Sequence, residues 1–216
     1  MKSSADPSHL KALSSDIEAA VRLLRQGGVV AVPTDTLYGL AASALDARAV
    51  ERVFRIKGRS ADIALPLLLA DPGDIVVCAA DVSAIAWTLA RHFWPGPLTL
   101  VVRRAPGIPK GVVGGMDTVA VRVPDHPVPR AVVRNLGAPI TGTSANRSGG
   151  PAPISAKAVL DQLGEEIDRV IDAGECPLGV PSTVLDVTQA VPVLLRAGAV
   201  DRDRIEEVIG RRVITR

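Results

Sequence analysis

A continuous apolar run constrains the fold of this chain more than any other segment. The run, Val29–Val32, continues into Pro33 and Thr34 as VVAVPT. Because no polar residues alternate with the apolar ones, the run predicts a strand that is buried on both faces. Strands of this kind lie inside sheets that are covered by helices. The run therefore predicts an α/β fold rather than a sheet with one wet face.

Two amphipathic helices flank this strand. Between Ser15 and Gln26, apolar residues recur at helical spacing, and the paired glycines Gly27 and Gly28 end the pattern. From Asp46 to Lys57 the pattern is helical again, with Asp46 as a predicted N-cap. This second helix ends in the sequence Lys-Gly-Arg, which places two cations on one turn.

Further segments complete the α/β pattern. Strands are predicted at LPLLLA, LTLVV, TVAVRV, APITG, RVIDAG, STVLDV and PVLLRAG, and helices at roughly 81–93, 127–136, 155–163 and 201–209. Close strand pairs near the C-terminal end predict some antiparallel pairing. We expect a single-domain, open, twisted mixed sheet with flanking helices over residues 14–210, preceded by a flexible N-terminal arm over residues 1–13.

Charge and composition exclude several functions. The 25 basic residues are nearly matched by 23 acidic ones, so wholesale nucleic-acid binding is disfavoured, and the 2% aromatic content disfavours base stacking. The two cysteines have no metal-ligand spacing, which predicts no metal site on the protein and a reducing compartment. No apolar window reaches the ~18 residues that a membrane span needs. We therefore expect a cytoplasmic protein without membrane contact.

Two polar groups follow the first strand and the second helix. Thr34, Asp35, Thr36 and Tyr38 lie on the loop after the buried strand, where they either bind a ligand or cap their own turn. Lys57 and Arg59 either grip a triphosphate or are solvated cations at a helix C-terminus. The chain has neither a GxxxxGK[ST] loop nor a GxGxxG after a strand, so a nucleotide site here is of another kind.

Two further groups lie at later strand ends. The small polar run Thr141–Gly150 follows the strand API, and free amides and hydroxyls in such a loop can follow a phosphate closely. Thr118, Arg122, Ser182 and Arg196 lie on or beside apolar strands, where each charge needs a ligand or an internal salt bridge. The three histidines neighbour no candidate nucleophile, so hydrolysis by a catalytic triad is disfavoured.

Seven motifs in order resemble the YrdC/Sua5 family, the threonylcarbamoyl-AMP synthases. They are PTDTLYGL, the helix ending in KGR, FWPGPLTLV, TVAVRVPDHP, TSANRSGG, PSTVLDV and LLRAG, between about residues 15 and 205. The resemblance implies a YrdC-like sheet with a basic concave face and an ATP-dependent nucleotidyltransferase. This enzyme condenses L-threonine, bicarbonate and ATP to threonylcarbamoyl-AMP and pyrophosphate, with Mg²⁺ expected on the phosphates. Its product feeds the t6A37 modification of transfer RNA.

The resemblance also assigns residues and partners. It implies Lys57 and Arg59 as catalytic cations, and it gives ATP the residues Lys57, Arg59, Thr118, Ser144, Asn146 and Arg196. It gives L-threonine the residues Thr36, Arg122, Gly142 and Ser182, with Arg122 pairing with the substrate carboxylate. Downstream threonylcarbamoyl-transferase proteins are expected partners, and contact with tRNA or double-stranded RNA is left open.

The chain differs from the family pattern in two respects, and two other functions remain open. Longer family members often read RPxDNPLIVH after the KGR turn, with an Asn toward ATP and a His toward threonine, where this chain has Ile63 and Leu68. Amino-acid specificity is therefore open. The extra C-terminal domain of the Sua5 type is not expected, which predicts the short, YrdC-like form. The alternatives are a non-catalytic RNA-binding or ribosome-associated module, which the low net charge disfavours, and a relative that uses carbamoyl phosphate.

Overall fold

The computed structural model describes residues 7–60 and 62–215. The helices in these residues are α1 (Pro7–Arg25), α2 (Ala47–Lys57), α3 (Ile75–Cys78), α4 (Ala84–Phe93), α5 (Pro127–Leu136), α6 (Ala156–Leu163) and α7 (Arg202–Ile209). The strands are β1 (Val30–Val32), β2 (Gly39–Ala41), β3 (Leu67–Leu68), β4 (Ala79–Asp81), β5 (Leu98–Arg104), β6 (Thr118–Arg122), β7 (Ile140–Thr141), β8 (Thr143–Ser144), β9 (Arg169–Val170), β10 (Thr183–Asp186), β11 (Val193–Arg196) and β12 (Ile214–Thr215). Within the described ranges, every helix is too short or too polar to cross a bilayer.

The strands divide between two mixed sheets. The smaller sheet has the order β8-β2-β1-β9, and the larger has the order β12-β11-β10-β5-β6-β3-β7, with β4 paired to β5. Each sheet contains parallel and antiparallel pairs, and β10 pairs antiparallel with β11 as the sequence predicts. The mixed α/β architecture is thus confirmed, while the division into two sheets is a feature that the strand pattern did not predict.

Strand β1 is buried on both faces, as its continuous apolar run predicts. Val30 and Val32 pack into a core with α1 and α5, whereas Ala31 packs into the main core with residues of α2 such as Val53. All three residues of the strand are fully buried. Because successive side chains of a strand point to opposite faces, an apolar run without alternation requires a core on each side.

Helix α1 is longer than the sequence pattern predicts. It begins at Pro7, so residues 7–13 of the expected arm belong to the helix, and residues 1–6 lie outside the described residues. Proline suits a first helical position because its missing N–H would have no intrahelical partner there. The predicted face is confirmed, since Ala20, Val21 and Leu24 are buried against α5 and β1.

Helix α2 has the predicted cap and delivers its two cations as expected. The Asp46 carboxylate accepts hydrogen bonds from the main-chain amides of Arg48 at 2.9 Å and Ala49 at 3.3 Å. Gly58 ends the helix with a φ of 59°, in the left-handed region that glycine adopts without strain. On either side of this residue, Lys57 is buried and Arg59 is partly exposed.

The elements that the sequence does not predict are all short, although the short strands β1, β3, β7 and β9 do lie within predicted segments. The predicted helices at 127–136, 155–163 and 201–209 are confirmed within one residue at each end, and α4 forms the C-terminal part of the helix predicted at 81–93. By contrast, β2, β4, β8, β12 and the four-residue helix α3 were not predicted. Elements of two to four residues are too short to show a hydrophobic period.

The chain crosses from the larger sheet to the smaller one at Gly142. Strand β7 ends at Thr141 in the larger sheet, and β8 begins at Thr143 in the smaller one. The Thr141 hydroxyl joins the two sheets, because it donates to the carbonyl of Leu40 at 2.8 Å and accepts from the amide of Ala42 at 3.0 Å. The crossing places the polar run after β7 in the gap between the sheets.

Candidate active site

A cleft of about 460 Å³ lies where the chain crosses between the two sheets. Most of the predicted site residues line it together, namely Thr36, Arg59, Arg122, Gly142, Ser144, Asn146, Ser182 and Arg196. Lys57 lines an adjoining hollow of about 400 Å³ that shares Arg59, Ser144 and Asn146 with the cleft. Thr118 lines neither space. Segments that are distant in sequence thus form one continuous site.

Arg122 lies at the end of β6 and already has an internal partner. Its guanidinium forms a buried ion pair with Asp35, donates from Nη1 to the Thr36 hydroxyl at 2.8 Å and donates from Nε to the Gly96 carbonyl at 2.9 Å. Burial lowers the pKa of Arg122, although the Asp35 carboxylate acts in the opposite direction. The sequence predicts either a ligand or an internal salt bridge for this arginine, and the salt bridge is present. One N–H on each terminal nitrogen remains for a ligand carboxylate.

The loop after β1 combines a self-capping turn with a wall of the cleft. The Thr34 hydroxyl accepts from the amides of Thr36 and Leu37, each at 3.1 Å, and donates to the Leu37 carbonyl at 2.7 Å. Tyr38 donates to the Gly174 carbonyl at 2.8 Å, and burial raises its pKa to about 12. Thr34 therefore caps its own turn, as one interpretation of the loop predicts, and the turn places Thr36 at the cleft. Ligand binding by this loop stays a prediction.

Lys57 ties the end of α2 to the loop after β8. Its ammonium donates to the main-chain carbonyls of Ser144 at 2.6 Å and Asn146 at 2.8 Å, and to Asn146 Oδ1 at 3.2 Å. Burial, and then the nearby Arg59, lowers the pKa of Lys57 to about 8. Three acceptors around one nitrogen require all three N–H groups of the protonated form. Lys57 is therefore charged at neutral pH, and all three of its N–H groups donate to acceptors within the protein.

Arg59 is the second basic residue of this turn, and its side chain lines both the cleft and the adjoining hollow. Its main-chain amide donates to the Phe54 carbonyl at 3.0 Å, but its guanidinium forms no hydrogen bond or ion pair with another described residue. Partial burial lowers its pKa, but an arginine stays charged at neutral pH. A guanidinium in this position can receive phosphate oxygens without breaking an internal contact.

Ser144 and Asn146 form a hydrogen-bonded unit rather than an ordinary turn. The Ser144 hydroxyl donates to Asn146 Oδ1 at 2.6 Å, and Asn146 Nδ2 donates to the Gly150 carbonyl at 2.7 Å. Asn146 Oδ1 thus accepts from both Ser144 and Lys57. Lys57 thus holds the unit in place from helix α2, and both residues of the unit line the cleft.

Ser182, directly before β10, and Arg196, the last residue of β11, line the cleft. Arg196 donates to the Ser182 carbonyl at 2.7 Å and to its hydroxyl at 3.0 Å, while the Ser182 hydroxyl lies 2.8 Å from that of Thr99. Partial burial lowers the pKa of Arg196. Thr99 lines the cleft but was not among the predicted residues. A threonine inside the apolar strand LTLVV was the signal that could have identified it.

Thr118 lies outside both spaces, although it shares a strand with Arg122. Alternate residues of β6 face the same side, so Thr118, Ala120 and Arg122 lie in one row, and only the latter two line the cleft. At about 3.4 Å per residue, Thr118 is roughly 14 Å along the strand from Arg122. Its assignment to ATP stays a prediction.

Leu68 and Ile63, the two apolar residues at positions that are polar in longer family members, line different parts of the site. Leu68 lines the cleft and packs against Gly142 so closely that a Cβ on this glycine would lie 2.5 Å from Leu68 Cγ. Ile63 is 43% exposed and lines the adjoining hollow. Neither side chain can form a polar contact with a ligand. Gly142 is required here because any larger residue would collide with Leu68.

The cleft does not provide a set of metal ligands from the described residues. Its lining includes three arginines and no carboxylate, and no group of three His, Cys, Asp or Glu side chains in the described ranges could hold a metal. Mg²⁺ prefers carboxylate, phosphate and water oxygens. A magnesium ion here would therefore depend on oxygens of a bound phosphate ligand rather than on these side chains.

Comparisons with known proteins identify the family and support the fold. The Sua5/YciO/YrdC family model, described as "Telomere recombination", matches residues 22–198. The chain is 45% identical over 194 residues to threonylcarbamoyl-AMP synthase of Pyrococcus abyssi, covering 90% of this chain and 57% of the relative. It is 38% identical to a putative threonylcarbamoyl-AMP synthase of Mycobacterium tuberculosis, covering 91% and 90%. The structure of P. abyssi Sua5 complexed with L-threonine superposes with a TM-score of 0.88 at 44% identity, covering 91% of this chain and 58% of the other.

Proposed function

Because the chain belongs to the Sua5/YciO/YrdC family, we propose that it is a threonylcarbamoyl-AMP synthase that uses L-threonine, bicarbonate and ATP. The chain spans little more than half of the P. abyssi relative, while it covers most of the M. tuberculosis one. The observation that carries the proposal is the lining of the cleft. Three arginines and several hydroxyls face one space, and no carboxylate lies among the described residues that line it.

The charges of the cleft suit anionic substrates. Triphosphate, bicarbonate and the carboxylate of an amino acid are all negative, and fixed cations in a partly dry cleft stabilise them and the charge that develops on a leaving pyrophosphate. Arg59 has no described internal partner, so it is the main candidate for the triphosphate. Ser144 and Asn146 line both the cleft and the adjoining hollow with Arg59. Together with Arg196, which lines the cleft, they complete the ATP side of the proposed site.

The threonine side of the proposed site centres on Arg122. The Asp35 pair, the Thr36 hydroxyl and the Gly96 carbonyl fix the guanidinium, and its two remaining N–H groups can donate to a carboxylate. Ser182 lines the same cleft, with its hydroxyl 2.8 Å from that of Thr99. This arrangement can hold the carboxylate end of threonine while leaving the amine directed toward the ATP side.

The proposed reaction needs positioning more than covalent chemistry from the protein. The threonine amine forms an N–C bond to the carbon of bicarbonate, which releases water and gives a carbamate. A carbamate oxygen then attacks the α-phosphorus of ATP, and the bond to pyrophosphate breaks. Aligned reactants and exclusion of bulk water supply most of the acceleration for steps of this kind. Mg²⁺ would neutralise phosphate charge when it enters with ATP.

Lys57 contributes to the proposed site through the loop that it holds. Its hydrogen bonds fix Ser144 and Asn146, and its charge adds to the positive potential near Arg59. In this proposal Lys57 positions the ATP side of the cleft, whereas Arg59 contacts the phosphates. The product would pass to a protein that transfers the threonylcarbamoyl group to tRNA.

Pyrophosphate release tests the proposed function. The purified protein is incubated with ATP, bicarbonate and each amino acid in turn, and we expect release that requires both threonine and bicarbonate. ATP and threonine together should also raise the melting temperature, because ligands that bind the folded state stabilise it. Release that is absent, or that is independent of threonine, would refute the proposal. Stabilisation by carbamoyl phosphate, or salt-sensitive RNA binding without a threonine effect, would indicate the alternatives.

A further inference from the structure

Four residues form a row across the larger sheet, on the side that lines the cleft. Val184 in β10 pairs with Thr99 in the parallel strand β5 and with Arg196 in the antiparallel strand β11. The register between β5 and β6, continued by one residue, brings Thr99 beside Arg122. All four residues line the cleft. Neighbouring strands lie about 4.8 Å apart, so an arginine lies at each end of a row about 14 Å long.

Two hydroxyls are in contact at the middle of this row. The Ser182 hydroxyl lies 2.8 Å from that of Thr99 and accepts a hydrogen bond from Arg196 Nη2 at 3.0 Å. Ser182 and Thr99 are buried, and within the described ranges neither hydroxyl has a further partner. Gly198 lets the turn after β11 pack directly on Ser182, because a Cβ at this glycine would lie 2.5 Å from the main-chain carbonyl carbon of Ser182. The hydroxyl pair is therefore held between three neighbouring strands.

The number of protons and lone pairs determines what this hydroxyl pair can offer a ligand. Two hydroxyls carry two protons and four lone pairs. The hydrogen bond between Thr99 and Ser182 uses one proton and one lone pair, whichever of the two is the donor, and Arg196 occupies a second lone pair. One O–H and two lone pairs remain, so the pair can both donate to a ligand and accept from it.

The cation at the Arg196 end of the row has no internal counterion. Arg122 pairs with Asp35, whereas the Arg196 guanidinium bonds only to Ser182 in the parts of the chain that the structure describes. Burial lowers the pKa of Arg122, the Asp35 carboxylate opposes this effect, and the charge of Arg196 lowers the pKa further. No carboxylate among the described residues lines the cleft. The positive potential along the row therefore favours an anion.

We propose that Thr99, Ser182 and Arg196 form the subsite for bicarbonate, a small anion that both donates and accepts hydrogen bonds. The inference rests on the proposed function and deepens it. The family resemblance gives Ser182 to threonine and Arg196 to ATP, and it gives no residue to bicarbonate. The subsite lies between the proposed carboxylate site at Arg122 and the ATP side of the cleft, where bicarbonate has to meet the threonine amine.

Hydrogen bonding and charge together distinguish bicarbonate from the other groups in the reaction. Amino-acid carboxylates and deprotonated phosphates only accept hydrogen bonds, so they would leave the lone pairs of the hydroxyl pair unused. The side-chain hydroxyl of threonine donates and accepts, but it is neutral and gains little from the two flanking cations. Bicarbonate combines a negative charge with one O–H, which matches both the potential and the free groups of this subsite.

Steady-state rates of pyrophosphate release, in buffer freed of dissolved carbon dioxide, test the subsite. Bicarbonate is varied at saturating threonine and ATP, and threonine is then varied at saturating bicarbonate. Thr99→Val removes one hydroxyl at similar volume. We expect its KM for bicarbonate to rise by at least about tenfold, the loss of one hydrogen bond to a charged group, while its KM for threonine changes by less than about twofold. Thr99→Ser keeps the hydroxyl and should restore the bicarbonate KM.

Two further variants complete the experiment. Thr183→Val is the matched control, because Thr183 is a buried residue of the neighbouring strand whose hydroxyl donates to the Val200 carbonyl at 2.7 Å and does not line the cleft. Its melting temperature should fall, while its KM for bicarbonate should change by less than about twofold. Ser182→Ala removes the second hydroxyl of the pair and should raise the bicarbonate KM as Thr99→Val does. It provides the test if Thr99→Val does not fold.

The outcomes separate the inference from the proposed function. If the wild-type protein shows no release that depends on threonine and bicarbonate, the proposed function fails and the subsite fails with it. If the wild type is active and folded variants of Thr99 and Ser182 keep the wild-type KM for bicarbonate, the proposed function survives and the subsite is refuted. A rise confined to the KM for threonine would also overturn the inference, because the pair would then bind the threonine hydroxyl. A selective rise for bicarbonate that Thr99→Ser reverses supports it.

Discussion

The ammonium nitrogen of Lys57 lies 2.6 Å from the main-chain carbonyl oxygen of Ser144, a residue that is 87 positions later in the chain. Together with its two contacts to Asn146, this hydrogen bond links helix α2 to the loop after β8. The neighbouring cation Arg59 has no such contact among the described residues. Two basic residues on one turn therefore have different tasks, and substitutions can separate them.

Replacement of Lys57 by Ala should destabilise the protein. The change leaves two main-chain carbonyls and Asn146 Oδ1 without their donor in a buried place, so we expect the free energy of unfolding to fall by about 2–4 kcal/mol. Pyrophosphate release should fall as well, because Ser144 and Asn146 lose their support. Urea unfolding measures the first effect. Lys157→Ala, which removes an exposed i,i+4 pair with Asp161, is the control and should change stability little. An unaltered free energy of unfolding for Lys57→Ala would show that these hydrogen bonds do not stabilise the fold.

Replacement of Arg59 by Ala should affect activity without affecting stability. Its guanidinium has no described internal partner, so the free energy of unfolding should change by less than about 0.5 kcal/mol. Loss of a phosphate-binding cation should lower pyrophosphate release by about a hundredfold or more. The control is Arg55→Ala, which removes an exposed basic residue from the last turn of the same helix. Near-normal release by folded Arg59→Ala protein would remove Arg59 from the phosphate site.

Replacement of Arg122 by Lys should weaken threonine binding and lower stability together. Lysine keeps the charge but cannot replace the planar fork, so we expect threonine affinity to fall by about 1–3 kcal/mol while ATP affinity changes little. The melting temperature without ligands should also fall, because the Asp35 pair is buried. Calorimetry and melting curves measure the two effects. Arg104→Lys is a suitable control, since Arg104 is a partly buried arginine bonded to the carbonyls of Ala105 and Ile108. A variant with lower stability and unaltered threonine affinity would make Arg122 purely structural.

Asp168 should contribute a measurable pH dependence of stability. Burial raises its pKa, but hydrogen bonds from Arg52 and from the Val29 amide at 2.7 Å outweigh burial, so the pKa lies below its ordinary value. The unfolded chain then binds a proton more readily than the folded one. The stabilisation is complete above the ordinary aspartate pKa of about 3.9 and is lost as the pH falls through the lowered folded value.

Urea unfolding between pH 7 and pH 3 checks this expectation. The wild-type protein should lose stability below about pH 4 more steeply than Asp168→Asn, in which this titration is absent. The exposed Asp161→Asn serves as the control and should keep the steep decline of the wild type. Parallel curves for the wild type and Asp168→Asn would contradict the assignment.

Much of the fold could be predicted from local sequence patterns. The doubly buried strand β1, the Asp46 cap of α2 and the boundaries of α5, α6 and α7 follow from apolar periods and capping residues within one segment. Strands β2, β4, β8 and β12 could not be predicted, because no longer apolar run surrounds them and two or three residues carry no hydrophobic period. Their existence depends on the neighbouring strand that supplies the hydrogen bonds.

The candidate site was predictable as a set of residues but not as a set of contacts. Family motifs brought together eight residues that line one cleft, whereas Thr99 and Pro66 were missed and Thr118 lies outside. Sequence reasoning also left open whether Arg122 has an internal partner, and the structure shows that it pairs with Asp35. That answer needed the packing of two strand ends that are 87 residues apart.

The sequence by itself determined which segments are helices and strands and which polar residues end them, because these depend on side-chain periodicity, capping and backbone propensity over a few residues. Only the tertiary structure decided that the Lys57 ammonium donates its hydrogen bonds to Ser144 and Asn146, that the strands divide into two sheets at Gly142, and that the Gly142 amide donates to the Pro66 carbonyl. Each of these depends on the register between strands or on the approach of distant segments. A hydrogen-bond partner is selected by a distance of about 3 Å and a direction, and neither is encoded in the local pattern of the chain.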